Sequence, residues 1–492
     1  MATHGLSLLL LFTLAGVGQS CVDPALAYRF TGAVCRLTYP AAITLNEKTT
    51  EVIKAAFQHA KYPSIVGEKS MSFIGKLQYG LHNLEIHNLS ISKSEVEMLE
   101  NEGIKIDISN VSAVFKGTLQ YTYGSALFST SQSLDFEIES QIDLVINSKL
   151  YCGNGRVAAD TSDCSLTFHK LKLLLQGDRE PGFIKNVLTN FITFTMKLVV
   201  KGQICKEINK VANILADFIQ ETAGQFLSDG DIHMDVGVNS APIITSNYVE
   251  SYHKGLVVYK ESTSVILASV FNPSQLTQNR SLYFWISDDV MSPLMTAAHN
   301  DGRLFRNISG KELMDLFPEE QATTRPKLFN EWLSSKDPLL KTWSASLPTL
   351  WTTTQGTSVK GMAVVELYSA NQDTPTLHFV AEVEVLVRVS YIDKNLILNT
   401  TSVHVSISDV SPTQTVSESL TSYLIGAVKR IGIPTVTSYL EPGLTTLMNR
   451  QGLHLFDLIN PEVIPQNGYV IIQMDFGFPQ HLLVEFLRKT LE

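Results

Sequence analysis

The chain is short of charge. Only 17% of its 492 residues are Asp, Glu, Lys or Arg, against roughly 25% in an ordinary soluble protein. Apolar residues make up 44%, and mean hydropathy is +0.09. A disordered chain is therefore excluded, since disorder needs low hydropathy and high charge. Long Lys/Arg runs are missing too, and the net charge is -10. That argues against a phosphate-tracking nucleic-acid binder and against a basic surface for anionic membranes. No G-x-S-x-G elbow, HExxH, CxxC or P-loop occurs, so no local signature of hydrolytic, metal or nucleotide chemistry is present. The 12 histidines show no ligand spacing. Asp229–Asp235 clusters carboxylates around His233, but such a segment reads best as a turn entering a strand.

One apolar run stands out. Leu6–Val17 has the length of a signal-peptide core, and Gly18 and Ser20 suit cleavage before Cys21. Residues 1–20 are expected to be removed. Beyond them no charge-free apolar stretch is long enough to cross a membrane; Phe191–Val200 comes nearest and contains Lys197. The mature protein is expected to be soluble and extracellular. Cys21, Cys35, Cys152, Cys164 and Cys205 are an odd set, so at least one thiol stays unpaired, and spacing does not choose the pairs. Sequons at Asn88, Asn110, Asn279, Asn307 and Asn399 agree with secretion and are candidate glycosylation sites.

Alternating strands recur through the chain: Ile104–Ser109, Leu134–Ile138, Val383–Val389 and Val403–Ile407. Each has one face for a core and one for water, as in twisted antiparallel sheets. Helices are expected over Leu45–Tyr62, from Pro181 to Leu227 with an interruption at Gly202, and over Leu420–Met448 with a break at Gly432-Ile433-Pro434. In each half the long helix is followed by a similar segment, Gly230–Asp235 or Gly452–Asp457, and then by an apolar strand, Pro242–Val249 or Tyr469–Phe476. The pattern predicts a diverged repeat: two domains of one architecture, 21–260 and 280–475, joined by a Ser/Thr/Asn/Gln-rich linker at 261–279. After the turn at Phe476–Pro479, residues 476–492 read as an amphipathic helix whose apolar arc includes Leu482, Leu483, Phe486 and Leu487.

Three stretches, Gly67–Ser92, Leu166–Asn209 and Leu455–Leu487, closely resemble the bactericidal/permeability-increasing, lipopolysaccharide-binding and lipid transfer protein family. The likeness runs through most of 31–290 and again from about 415 to the end. The resemblance implies an α+β fold. Two similar barrels of twisted antiparallel sheet with long helices form an elongated boomerang, joined by a central sheet, and apolar pockets unite into a lipid tunnel. It implies a monomeric, secreted, non-enzymatic carrier without cofactor or metal. Such a carrier moves cholesteryl ester, triglyceride and phospholipid between high-density and lower-density lipoprotein particles. The alternatives within the family are a phospholipid transfer protein and a lipopolysaccharide-binding defence protein; a lipase or esterase is the remaining rival.

The resemblance also assigns positions. It pairs Cys164 with Cys205 and leaves Cys35 and Cys152 unpaired. It places Cys35, Leu37, Phe218, Ile219, Gln220, Ser251, His253, Phe284, Ile286 and Phe456 along the tunnel or at its phospholipid-stopped mouths. Thr222 stands where relatives often carry Arg. The terminal helix, with Leu483, Phe486 and Leu487, becomes a lid over the opening.

Overall fold

The computed structural model describes residues 21–477 apart from 60–61, 72–74, 126–127, 154, 177–188, 191, 195, 211–212, 214–227, 319–322, 371–372, 393–394, 413–416, 435 and 438–456. Phe218, Ile219, Gln220, Thr222 and Phe456, and the expected terminal helix with Leu483, Phe486 and Leu487, lie outside the described residues.

Strand β1 (Ala33–Thr38) runs directly into helix α1 (Tyr39–His59). The helix begins six residues before the expected Leu45. Pro40 tolerates an early position, where its missing N–H costs nothing, and Ala41 and Ala42 are buried in the added turn. Five antiparallel strands follow in sequence order: β2 (Ile65–Met71), β3 (Gly75–Leu99), β4 (Gly103–Ser125), β5 (Phe128–Gly153) and β6 (Arg156–Leu175). These strands contain the expected segments Ile104–Ser109 and Leu134–Ile138. Register shifts bend the ladder where Asn83, Asn88 and Asn110 adopt left-handed backbone conformations. Asn suits such bulges, because its short polar side chain tolerates positive φ.

A helix passes over this sheet. Ile192, Met196, Val200 and Ile204 repeat every four residues and are buried against the strands. Residues 196–210 are continuously helical, so Gly202 does not interrupt the helix. Its position is exposed, with nothing near enough to contact a side chain there. The Cys164–Cys205 disulfide ties the helix to β6. Cys152, expected free, is instead bonded to Cys21, with Cα atoms 6.1 Å apart. Only Cys35 remains free among the described cysteines.

A smaller sheet holds β7 (Ser228–Asp229), β8 (Ile232–Asp235), β11 (Leu256–Tyr259) and β12 (Ser262–Thr263). The Asp229–Asp235 segment is a hairpin in it. Asp235 accepts from the Gly237 amide and from Lys254 Nζ, so its oxygens serve the turn and an ion pair. The expected single strand at Pro242–Val249 is two strands, β9 (Ile243–Ile244) and the start of β10 (Tyr248–His253), folded on each other.

The second half starts at β13 (Leu282–Ser287), again leading directly into a helix, α2 (Asp288–Asn300). Its own sheet comprises β14 (Arg306–Ser309), β15 (Leu339–Ser344), β16 (Thr349–Thr353), β17 (Gly356–Tyr368), β18 (Leu377–Ile392) and β19 (Asn395–Ser411). Helix α3 (Gly310–Leu316), helix α4 (Lys327–Leu333) and helix α5 (Glu418–Ala427) cap its core around Trp332. The path does not break at Gly432-Ile433-Pro434. A π-helical turn, Val428–Gly432, carries it through to helical residues 433–434. The wider turn accommodates the missing donor of Pro434.

Both halves share a central six-stranded antiparallel sheet, in the order β20-β21-β13-β1-β10-β9, with β20 at Asp457–Gln466 and β21 at Tyr469–Gly477. The order is a palindrome about the β1–β13 pair, where Cys35 lies opposite Phe284. β1 and β13 have the same alternating burial, and each ends in a buried hydroxyl, Thr38 or Ser287, before its helix. The central sheet thus has a pseudo-twofold that relates β1 to β13 and β10 to β21. The 261–279 segment packs on that sheet as well, with Phe271 and Leu276 in its core.

Candidate functional site

Alternation gives the central sheet two unlike faces. On one, Val34, Tyr252, Tyr283, Trp285 and Ile471 are buried against Ala27, Phe271 and Leu276. Phe271 meets Trp285 and Tyr252 edge-on, with centroids 5.2 and 5.8 Å apart. Arg36 and Glu250 also lie on this side and are almost wholly inside.

The other face carries six of the residues assigned from sequence: Cys35 and Leu37 from β1, Ser251 and His253 from β10, Phe284 and Ile286 from β13. The register brings them together. Cys35 sits between Ser251 and Phe284, and Ala33 sits between His253 and Ile286. Leu37 sits between Val249 and Leu282. Ile472 and Val470 of β21 extend the rows beyond Phe284 and Ile286. All of these side chains are half-buried, in contrast to the packed opposite face. Leu37 contacts the core around Val96 and Met98, and Ile286 the core around Val257 and Val290. Between those two anchors the face is apolar and incompletely covered.

Sequence reading missed Val249, Leu282, Val470 and Ile472. The only signal was a pair of apolar runs, LYFWIS (282–287) and YVIIQ (469–473), and an unbroken apolar run does not say which residues share a face.

The polar groups on this face are neutral. His253 Nδ1 lies 2.8 Å from the Val236 carbonyl oxygen, which fixes the proton on that nitrogen. Nε2 is then an acceptor, and Ser251 Oγ donates to it at 2.8 Å. Desolvation pushes the His253 pKa below its ordinary value, with the Val236 hydrogen bond opposing. Burial, with the Glu250 charge second, pushes the Cys35 thiol up to about 12. Each keeps part of its surface uncovered. Protein therefore surrounds these side chains without packing them fully. The Ser251–His253 pair lacks a carboxylate behind the imidazole. Among the described residues no cluster of His, Cys, Asp or Glu could hold a metal ion.

All five sequon asparagines are exposed. Among the described residues no helix is long and apolar enough to cross a membrane.

Comparison with known proteins places this architecture. The LBP / BPI / CETP family model for the N-terminal domain matches residues 44–218. Over 98% of its length the chain is 44% identical to the cholesteryl ester transfer protein of Gallus gallus, covering 97% of that protein. It is also 44% identical to the Homo sapiens cholesteryl ester transfer protein, over 93% of this chain and 94% of that one. The chain belongs to the LBP / BPI / CETP family. Lipopolysaccharide-binding protein of Homo sapiens is 25% identical over 61% of this chain. The crystal structure of lipopolysaccharide binding protein superposes with a TM-score of 0.50 at 16% identity, covering 91% of this chain and 99% of that one, and shows the fold alone.

Proposed function

We propose that this chain is a secreted lipid transfer protein. It carries cholesteryl ester, triglyceride and phospholipid between lipoprotein particles through an apolar tunnel, and no bond is made or broken. The observation that carries the reading is the half-buried apolar face of the central sheet, shared by both halves. Two relatives 44% identical over nearly the whole chain are cholesteryl ester transfer proteins.

The physics asks for such a conduit. A sterol ester entering water exposes its acyl chain. At about 0.8 kcal/mol per CH₂, an 18-carbon chain costs on the order of 14 kcal/mol. A carrier that keeps the chain against apolar side chains removes most of that barrier. No nucleophile, base or metal is then required.

In this reading the two halves form the barrels of a boomerang. Cys35, Leu37, Phe284 and Ile286 line the conduit, and Phe218, Ile219 and Phe456 extend it. Ser251, His253 and Gln220 meet polar lipid groups. The helix over 480–492 shields neutral lipid at the opening through Leu483, Phe486 and Leu487. Phospholipid needs no such shield, since its headgroup already faces water.

The test is transfer of labelled sterol ester, triglyceride and phospholipid between donor and acceptor particles. Deleting 480–492 should depress ester and triglyceride transfer far more than phospholipid transfer, with secretion retained. Leu483→Asp and Phe486→Asp should mimic the deletion, because a charge on the apolar face docks poorly. Parallel loss of all three lipids would make the helix a structural element instead. Release of free fatty acid by the pure protein would point to the Ser251–His253 pair as a hydrolytic site and contradict the reading.

A further inference from the structure

A second site lies in the second half, away from the central face. Residues 299–305, at and after the end of α2, and strands β15 and β17 line a cleft of about 490 Å³. Its walls are His299, Leu304, Phe305, Lys341, Trp343 and Glu366.

Three features of the cleft are unusual together. First, Phe305 and Trp343 form an aromatic pair at the rim, with ring centroids 6.5 Å apart and planes 33° from parallel. Phe305 is 49% exposed, a large apolar ring left open to solvent. Second, Lys341 carries a positive charge with no carboxylate at ion-pair distance among the described residues; its Nζ lies 4.3 Å from the centre of the Tyr368 ring. The obvious partner, Glu366, is directly opposite in register. Its oxygens are engaged instead by the Tyr368 hydroxyl at 2.7 Å and His378 Nδ1 at 3.1 Å. Third, His299 Nδ1 is buried and has no hydrogen-bond partner among the described residues. A buried polar atom without a partner costs about 1–3 kcal/mol, so it calls for a partner, which a ligand in the cleft can supply.

These features fit one ligand chemistry. An anionic phosphate would take Lys341 Nζ and His299 Nδ1–H. A methylated ammonium on the same molecule would lie against the faces of Phe305 and Trp343, as aromatic rings bind quaternary ammonium groups. The Glu366 carboxylate would balance that cation. We infer that this cleft binds a zwitterionic phosphocholine headgroup, giving the second half its own contact with a phosphatidylcholine surface. The inference stands whether or not the central face carries neutral lipid.

One competitor is built into the chain. Asn307 heads a sequon and lies opposite Lys341 in register, so a glycan there starts beside the cleft.

The test uses the full secreted chain, titrated by calorimetry with phosphocholine, choline, inorganic phosphate, and vesicles of phosphatidylcholine or of phosphatidylglycerol. Phosphocholine should bind and phosphatidylcholine vesicles should compete for it, while choline and phosphate alone bind at least about tenfold more weakly. Lys341→Gln and Trp343→Ala should each weaken phosphocholine about tenfold, and His299→Ala by a smaller factor, with Lys341→Arg largely retaining it. Lys327→Ala, on an exposed helix face, should change nothing. If Trp343→Ala fails to fold, Lys341→Gln decides, since its side chain is not in the core. No binding to the parent protein, equal binding of inorganic phosphate, or unchanged affinity in Lys341→Gln would overturn the inference. So would binding that appears only in Asn307→Gln, which would assign the cleft to the glycan.

Discussion

Arg36 and Glu250 face each other across β1 and β10, and their side chains form a buried ion pair at 2.6 Å. Tyr252 donates its hydroxyl to the same carboxylate at 2.9 Å. The guanidinium donates to the carbonyls of Leu276 and Pro273 and lies 4.0 Å from the centre of the Tyr248 ring. It thereby clamps the 273–277 segment onto the sheet. At the pseudo-twofold positions of the other half stand Trp285 and Ile471, also paired in register but apolar. One fold thus tolerates both an ion pair and a hydrocarbon pair at this place. Arg36→Met should strand the Glu250 carboxylate and lower stability by about 3–5 kcal/mol. Burial already holds that carboxyl above its usual range despite Arg36. Arg36→Met with Glu250→Leu should recover most of the loss. Urea unfolding of the two variants decides it; equal destabilisation would mean that the pair's contacts with 273–277 matter more than its charge.

The disulfides make a second prediction. Bridges closing 131 and 41 residues of separation should stabilise by about 5 and about 4 kcal/mol on the chain-entropy model. Cys152→Ser and Cys164→Ser should both cut secretion sharply. Non-reducing peptide mapping should recover Cys21 linked to Cys152 and Cys164 to Cys205. A freely alkylated Cys152 in the native protein would refute the first pair.

Cys35 should be nearly inert. With its pKa raised from 9.0 to about 12, the thiolate fraction at pH 8 falls about a thousandfold, and thiolate is the reactive form. Iodoacetamide should modify it only after unfolding. Rapid labelling in the folded protein would show that the central face is open to water.

His253 supplies an acid sensitivity. Its pKa is depressed in the folded state by desolvation. The folded protein therefore binds this proton less well than the unfolded chain. Its stabilising contribution is complete above the unfolded value of 6.5 and is lost as pH falls through the depressed folded value. The slope can reach about 1.4 kcal/mol per pH unit. His253→Gln should flatten that part of the stability–pH curve on the acid side of pH 6.5. An unchanged curve would mean that His253 titrates as an exposed imidazole does.

Much of this architecture was legible from residue patterns, and the failures have physical causes. Val383–Val389 and Val403–Ile407 alternate cleanly and fall within β18 and β19. Gly202 misled because a helix interior tolerates an exposed glycine at about 1 kcal/mol when its buried stripe, here Ile192 to Ile204, is intact. The Pro434 break was absorbed by a π turn, which local propensity does not encode. Cys152 was expected free because the family resemblance leaves that position unpaired; the partner it takes here, Cys21, is 131 residues away, and spacing alone does not choose pairs. The central sheet was hardest of all. The β1–β13 pairing joins Cys35 to Phe284 across about half of the chain, and no local pattern specifies such a contact. The family resemblance supplied Cys35, Leu37, Ser251, His253, Phe284 and Ile286, and the register brings them onto one face. It did not supply Val249, Leu282, Val470 and Ile472, which that register adds.

The central claim is that the half-covered face of this sheet holds neutral lipid. Native mass spectrometry of the purified, secreted chain, followed by lipid extraction, tests it most directly, with Phe284→Asp and Ile286→Asp beside the parent. The parent should carry sterol ester or triglyceride together with phospholipid in a fixed ratio to protein. Each Asp variant, if secreted and folded, should lose most of the neutral lipid, because a buried carboxylate cannot share an apolar channel with an acyl chain. A parent protein that is lipid-free and stable, or Asp variants that keep their full neutral-lipid load, would contradict the account.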